Sequence, residues 1–296
     1  MKNLFLLLVL SLTLNACSNM GKQSKSASKT DTLEVDFWSG NRSEIRQDYE
    51  REVLQAILKT TEKEYGQWII KETKTEYPGN QESQVFKEKN HDVFVTIAGN
   101  QKFKQGDFIM VKKLIAKNLL GYRIPIIKSE NKDKINTAIQ NSEIKQLVHG
   151  IPETWSDAGI FRHNDYAVSE EGDFDDIFER LNAENFDYTT FGANEVMSVY
   201  KNRASLQEGL VIEDSLMFFY PFPLVFYVNP EKADLAKRLS AGLENVKKEK
   251  VLDSIFDTYY KSIVEDLKLK QRQVITLENP LIPEEFSELK PDLGEL

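Results

Sequence analysis

Carboxylates and histidines are the residues of this sequence that are best suited to catalysis or metal binding. Neighbouring carboxylates such as Glu213 and Asp214 are the groups that glycosidases use, although most such pairs are surface charges. The histidines are His91, His149 and His163; they lack HExxH spacing, and no cysteine lies near them. We therefore predict surface or strand-end positions for the histidines and no metal site.

The common catalytic and phosphate-binding motifs are missing from the sequence. There is no GxSxG elbow, no Walker loop and no GxGxxG turn. The acidic stretch 170–176 does not have the glycine and glutamate order of a calcium loop, and it fits a solvated helix start better. These observations predict a protein that is not an enzyme and that carries no cofactor.

Composition excludes two further classes of protein. The chain has 296 residues, 41% of them hydrophobic, which is enough for real cores and argues against global disorder. Its 38 Lys and Arg residues face 47 Asp and Glu residues, a net charge of -9. That balance argues against broad nucleic-acid binding, which requires clustered cations.

The N-terminus has the features of a bacterial lipoprotein signal. Lys2 precedes an apolar run over 4–14 that is too short to span a bilayer, and Leu14-Asn15-Ala16-Cys17 resembles a lipobox. We expect a signal peptide over 1–16, a lipid on Cys17 and a flexible tether over 17–30. The folded part would then be extracytoplasmic and anchored to a bacterial membrane. An ordinary signal peptide with a chance cysteine is the alternative.

The remaining sequence alternates strand and helix patterns, which predicts an α/β fold. Residues 33–38 read as a strand, and residues 44–61 read as a helix with one buried face. Residues 143–149 also read as a strand. Prolines 221 and 223 divide the most apolar segment, 216–228, into two extended pieces. Several prolines and glutamates predict a loosely ordered tail from residue 279.

Four stretches, in this order, carry a resemblance to a known family. They are WSGNRSEIRQDYEREVLQAILKTTEKEYG, LLGYRIPII, QLVHGIPETWSDAGIFRHNDYAV with DDIFERLNAENFDYTTFGANEV, and FPLVFYVNPEKADLAKRLSAGLE. The order resembles the type II periplasmic solute-binding proteins of the extracellular family 3-like group. The resemblance implies two lobes joined by a hinge, with ligand in the cleft. Lobe one would be 31–122 plus 220–278, lobe two 123–219, and 279–296 a C-terminal tail.

Ligand contacts are expected beyond the carboxyl ends of the strands, where open α/β sheets bind their ligands. The candidates at such positions are Trp38, Arg42, Thr96, Thr154, Trp155, Asn194 and Glu195. Thr154, at a predicted helix start, would hold an anion with its backbone N–H neighbours. Core packing is the alternative for both tryptophans, and a surface position is the alternative for Arg42. Arg123, at the crossover, is expected to be structural.

The sequence also departs from the family pattern that the resemblance implies. Amino-acid-binding relatives commonly carry an Arg after the third strand and an Asp at a strand end near residue 192. Here Lys102 and Lys104, rather than an Arg, follow the third strand, and Gly192 stands where the relatives commonly carry the Asp. Because lysine cannot reproduce the two-pronged arginine contact with a carboxylate, a standard α-amino acid is not the expected ligand.

The leading hypothesis is a lipid-anchored solute-binding protein that captures a small polar ligand by lobe closure. Its partners would be that ligand, a membrane transporter or a sensor, and the membrane itself through Cys17. Two alternatives stay open. One is an extracytoplasmic enzyme that uses carboxylates in the same cleft, and the other is an adaptor lipoprotein whose cleft binds no ligand.

Overall fold

The computed structural model describes residues 32–296. The predicted signal peptide 1–16, the predicted lipidation site Cys17 and the predicted tether 17–30 all lie outside the described residues. Within 32–296, no helix combines the length and the apolar character that crossing a bilayer requires.

Short strands alternate with helices along this region. The strands are β1 (Leu33–Trp38), β2 (Trp68–Thr73), β3 (Val93–Ile97), β4 (Ile109–Met110), β5 (Tyr122–Lys128), β6 (His149–Ile151), β7 (Val168–Glu170), β8 (Tyr188–Gly192), β9 (Leu210–Ile212), β10 (Leu216–Phe219), β11 (Leu224–Val228) and β12 (Gln273–Thr276). The helices are α1 (Glu44–Thr60), α2 (Glu62–Tyr65), α3 (Lys132–Gln140), α4 (Ser156–His163), α5 (Ile177–Asn182), α6 (Val196–Asn202), α7 (Ala233–Lys248) and α8 (Val251–Asp266).

The first lobe is built on a sheet with strand order β2-β1-β3-β11-β4. Strand β1 runs parallel to β2 and β3, whereas β11 is antiparallel to β3 and β4. Helix α1 packs against α7 and α8. Its apolar residues at four-residue spacing, Tyr49, Val53 and Ile57, are buried, as the periodicity predicted.

The second lobe is built on a sheet with strand order β12-β10-β5-β8-β6-β7, and β9 also pairs with β5. Strand β6 runs parallel to β7 and β8, while β5 is antiparallel to β8, β9 and β10. Helix α5 packs on the sheet through the buried side chains of Ile177, Phe178 and Leu181. The two sheets confirm the predicted α/β class.

Two neighbouring crossovers join the lobes in the middle of the chain, and the chain crosses between them again before and after β12. The chain enters the second lobe at residues 119–122 and returns through residues 220–223, where Pro221 and Pro223 interrupt the apolar segment. The backbone N–H of Tyr220 donates to the carbonyl of Gly121, and the N–H of Phe222 donates to the side chain of Asn118. A Cβ atom on Gly121 would lie 2.3 Å from the carbonyl oxygen of Tyr220, so this contact requires glycine.

The C-terminal region differs from the expectation in two respects. Strand β12 pairs in parallel with β10, so residues 273–276 lie on the sheet of the second lobe rather than in lobe one. The tail from residue 279 is also not loosely ordered. The side chain of Asn279 donates to the carbonyl of Pro221, and Phe286 is buried in an aromatic cluster of the first lobe. Apolar burial outweighs the breaking tendency of the tail prolines.

The predicted strand over 143–149 is wrong in position. Residues 144–146 form a 3-10 turn, and β6 begins only at His149. Ile144 and Leu147 are nevertheless buried. Their three-residue spacing matches the three residues per turn of a 3-10 helix, whereas a strand would place the two side chains on opposite faces.

Candidate functional site

A cavity of about 850 Å³ lies between the two lobes. From the first lobe it is lined by the segments that follow β1 and β2, which include Arg42 and Glu76, and by the end of β3, which includes Thr96. From the second lobe it is lined by segments that follow β6 and β8, which include Trp155 and Glu195. The cavity therefore lies beyond the carboxyl ends of strands, where the sequence placed the ligand.

The wall of the first lobe holds a compact charge cluster around Glu82. The carboxylate of Glu82 is 6% exposed; Lys102 Nζ lies 2.6 Å from it and Arg42 Nη2 lies 3.4 Å from it. Arg42 Nη2 also donates to the carbonyl of Val95 at 2.9 Å. Burial raises the pKa of Glu82, and the positive charges of Arg42 and Lys102 lower it. Together the two charges outweigh burial, so the net shift of the Glu82 pKa is downward. Both cations are therefore already engaged by a buried anion.

Thr96 lies beside this cluster, on the carboxyl-terminal half of β3. Its hydroxyl oxygen accepts a hydrogen bond from Asn100 Nδ2 at 2.9 Å, and Asn100 Oδ1 accepts from the N–H of Lys102. Thr96 and Asn100 both line the cavity. Because the Thr96 oxygen already accepts a bond, its own proton is available for donation to a bound polar group.

Trp38 does not line the cavity. Its ring is 1% exposed, stacks on Tyr77 with centroids 5.4 Å apart, and donates through Nε1 to the carbonyl of Thr75 at 2.9 Å. The core alternative describes its position. Tyr77 and Arg42, which do line the cavity, both pack on the Trp38 ring. Asn194 is likewise fully buried outside the lining, next to Glu195, which does line the cavity.

Thr154 and Trp155 line the cavity from the second lobe, directly before helix α4, as predicted. Trp155 is the N-cap residue of α4, and Thr154 before it has φ of +71°, a left-handed conformation that a β-branched residue rarely adopts. The first turn of α4 already carries the carboxylate of Asp157, and this negative charge makes an anion site at the start of the helix unfavourable. Trp155 stacks on Phe174 at 6.2 Å and meets the edge of Phe191.

Arg123 is buried at the start of the second lobe, where it also touches the cavity. Its Nη2 lies 2.7 Å from Asp157 Oδ1, which also accepts a hydrogen bond from the Tyr220 hydroxyl at 2.6 Å. Burial lowers the pKa of Arg123, while the Asp157 carboxylate raises it, and the net pKa shift is upward. This pairing supports the expected structural role.

Glu195 connects the lobes through a second arginine that sequence reasoning missed. Arg46 Nη2 lies 2.8 Å from Glu50 Oε1 on α1, and Arg46 Nη1 lies 3.4 Å from Glu195 Oε2 in the second lobe. Arg123 Nη1 approaches the other Glu195 oxygen at 3.9 Å. The available signal was the helical spacing, because Arg46 stands four residues before Glu50 on α1.

The lobes also meet where Pro78-Gly79 faces Thr154. A Cβ atom on Gly79 would lie 2.9 Å from the Thr154 hydroxyl oxygen, so the second lobe approaches the first lobe here through a residue without a side chain. Together with the pair of Arg46 and Glu195, this contact brings the two walls of the cavity together.

The histidines lie away from any catalytic arrangement in the described region. His149 is buried at the start of β6, stacks on Tyr188 at 4.6 Å and lies within hydrogen-bond distance of the Thr190 hydroxyl. Burial, with a smaller contribution from Arg123, lowers its pKa well below the usual value. Among residues 32–296 no group of three His, Cys, Asp or Glu side chains is placed to hold a metal ion.

Comparison with known proteins identifies the fold. No protein-family model and no curated protein matches the chain. Among solved structures, a periplasmic His/Glu/Gln/Arg/opine family-binding protein from Silicibacter pomeroyi in complex with lysine is 10% identical, with a TM-score of 0.54; the match covers 77% of this chain and 97% of that one. The fold is that of the type II periplasmic binding proteins.

Two further solved structures give the same result. An amino acid ABC transporter substrate-binding protein from Streptococcus pneumoniae bound to L-arginine is 9% identical over 78% of this chain and 94% of its own, with a TM-score of 0.53. An ancestral arginine-binding protein bound to arginine is 16% identical over 77% and 98% of the two chains, with a TM-score of 0.51. At these identities the likeness establishes the fold, which confirms the predicted two-lobed class.

Proposed function

We propose that this chain is an extracytoplasmic solute-binding protein that captures a small polar molecule between its lobes. The observation that carries the proposal is the cavity of about 850 Å³, lined by both lobes. Ligand pockets of proteins fall in the range of about 300–1,000 Å³ and lie preferentially between domains. The solved proteins that share the fold include solute-binding proteins of amino-acid transporters and a histidine kinase sensor domain.

The proposed ligand contacts are the predicted residues that line the cavity: Arg42, Thr96, Thr154, Trp155 and Glu195. Closure of the second lobe would bring Trp155 and Glu195 onto a ligand held by the first lobe. Trp38 and Asn194 would not touch the ligand. Trp38 would position the lining residue Tyr77, and Asn194 would position its chain neighbour Glu195. Hinge closure around a ligand is an established way for two-lobed proteins to bind.

Ligand-induced stabilisation tests this function. Residues 18–296, which contain the whole compact unit Thr32–Leu296, are purified and heated with pools of metabolites. A compound at 100 times its dissociation constant raises the free energy of unfolding by about 2.7 kcal/mol. Trp155→Ala should reduce this stabilisation, whereas Leu206→Ala, at an exposed site away from the cavity lining, should leave it unchanged.

The same screen separates the two alternatives. Chemical turnover of the stabilising compound would support an extracytoplasmic enzyme. Absence of any stabiliser across a broad library would contradict the binding function and support an adaptor.

We also propose that Cys17 carries the lipid that anchors the protein to the membrane, where a transporter or sensor would receive the ligand. The support is the lipobox-like run before this cysteine, the only one in the sequence. Several acyl chains on one residue suffice for stable anchoring, because each buried CH₂ contributes about 0.8 kcal/mol. Cys17→Ser should move the protein from the membrane fraction to the soluble fraction, while Ser18→Ala should not. Membrane retention of the Cys17→Ser protein would contradict the anchor.

A further inference from the structure

The charges of the cavity restrict the kind of molecule that fits it. Building on the proposed function, we propose that the ligand is an organic cation without a carboxylate: an amine or guanidine held by carboxylates at the cavity mouth and by the aromatic face of Trp155 and Phe174. Three independent observations carry this proposal: the pairing of the cavity cations, the unpaired carboxylates of both lobes, and a cation already seated on the aromatic face.

Each cation that lines the cavity is already paired with a carboxylate. Lys102 and Arg42 share Glu82, and Arg46 lies between Glu50 and Glu195. Arg123 is paired with Asp157, and Arg203 with Asp175 at 3.1 Å. An anionic ligand would have to compete with one of these pairs, and every pair except the exposed one between Arg203 and Asp175 includes a buried or nearly buried group. The cavity therefore offers no free cation to a ligand carboxylate.

Several carboxylates of the lining, in contrast, have no cationic partner. Within the described region, no Lys, Arg or His nitrogen lies within 4.0 Å of the carboxylates of Glu44, Glu76 or Glu153. Glu44 and Glu76 belong to the first lobe and Glu153 to the second, and all three are exposed. Because unpaired charges of one sign around a cleft focus the electrostatic potential, the cavity mouth attracts cations and repels anions.

The aromatic wall of the second lobe is suited to a cation as well. The rings of Trp155 and Phe174 are nearly parallel, at an interplanar angle of 19°, and both line the cavity. The guanidinium carbon of Arg203 lies 5.6 Å from the ring centroid of Phe174. One face of this wall thus already holds a cation of the protein. An ammonium or guanidinium group prefers such a site because of the negative ring face, and tryptophan is the strongest of these rings.

Matched pairs of compounds test the proposal directly. L-arginine and agmatine differ by one carboxylate, as do L-lysine and cadaverine, so each pair isolates the contribution of that group. Isothermal titration of residues 18–296 should give tighter binding of the decarboxylated member, by 10-fold or more. Binding of the amino acid as tightly as the amine, or no binding by any of the cations, would overturn the proposal.

Charge-neutral variants provide the second readout. Glu76→Gln and Glu153→Gln should each weaken binding of the amine about 1.5- to 5-fold, the range measured for exposed ion pairs. Added salt should reduce this difference, because exposed charges are screened. Glu231→Gln removes an exposed carboxylate outside the cavity lining and is the matched control. Equal binding by the Glu76 and Glu153 variants and the control would overturn the role of these carboxylates.

The outcome also separates this inference from the proposed function on which it rests. A neutral or anionic metabolite that stabilises the protein and loses its effect in Trp155→Ala would retain the binding function and refute the cationic ligand. Absence of any stabiliser across both the library and the cation panel would refute both.

Discussion

Removal of the carboxylate at position 157 should destabilise the second lobe severely. The substitution Asp157→Asn keeps the size of the side chain but leaves Arg123, which is 2% exposed, without its nearest anion at 2.7 Å. Arg123 cannot lose its proton to relieve this, because an arginine stays protonated in a protein. The remaining carboxylate, Glu195, lies at 3.9 Å from the guanidinium.

The magnitude follows from these distances. With an effective dielectric constant of about 20, opposite charges at 2.7 Å attract by about 6 kcal/mol and charges at 3.9 Å by about 4 kcal/mol. Part of the loss is recovered, because Asp157 no longer has to be desolvated. Breaking a buried pair by removing one partner costs about 3–5 kcal/mol in measured cases. We expect a loss near the lower end, about 3 kcal/mol, because Glu195 still faces the guanidinium.

Urea unfolding followed by tryptophan fluorescence measures this loss. Trp155 is the tryptophan of the second lobe and stands two residues from Asp157, so its emission reports on the affected region. The free energy of unfolding is obtained by linear extrapolation to zero urea. Asp173→Asn removes an exposed carboxylate of the same lobe and should change that free energy by less than about 0.5 kcal/mol.

The double variant Arg123→Met with Asp157→Asn completes the test. Removing the guanidinium together with its partner eliminates the unpaired buried charge, so the double variant should be more stable than Asp157→Asn alone. A loss below about 1 kcal/mol in Asp157→Asn, or a double variant that loses the sum of both single effects, would refute the argument that a buried ion pair holds this crossover.

Further predictions concern the tail, the cavity closure and the buried histidine. Phe286→Ala should lower the free energy of unfolding by about 3–5 kcal/mol in urea unfolding, because the ring fills the first-lobe cluster; a change below about 0.5 kcal/mol would indicate a loose tail. Gly79→Val should weaken ligand affinity about 10-fold by calorimetry, because its side chain meets Thr154, whereas Gly159→Val, with open space around it, should not. The pKa of His149 is depressed in the folded state, so the unfolded state takes up the proton first as pH falls. This group's contribution to stability is therefore full above about pH 6.5 and falls below it by up to about 1.4 kcal/mol per pH unit. His149→Gln should reduce the slope between urea titrations at pH 7.5 and 5.5, and the part that remains includes His91, whose pKa burial also lowers. An unchanged slope would contradict the assignment.

Much of the fold was predictable because its signals are local. The buried face of α1 follows from apolar residues every four positions, and the extended return segment follows from Pro221 and Pro223. Strand-end positions placed Arg42, Thr96 and Glu195 at one cavity, because parallel strands end at the same edge of a sheet.

The errors come from contacts between residues far apart in the chain. Strand β12 joins the second lobe because it pairs with β10, a strand more than fifty residues earlier, and no local pattern encodes the choice of partner. Trp38 ends β1 and Trp155 follows β6, so the two look alike in the sequence. Tyr77 stacks on Trp38 and keeps it in the core, whereas Trp155 lines the cavity.

Periodicity and helix-breaking residues act over a few positions, so the sequence by itself determined the α/β class and the candidate strand ends. The two lobes were implied only by the resemblance of four stretches to a known family. The sequence also carries the lipobox-like motif around Cys17. Only the tertiary structure decided the electrostatic state of the cavity. Whether Arg42, Arg46 or Lys102 is free to bind a ligand depends on which carboxylate lies within about 4 Å of it. That distance is fixed by the packing of segments that are far apart in the sequence. The packing pairs the cations of the cavity lining and leaves exposed carboxylates of the lining without a cationic partner.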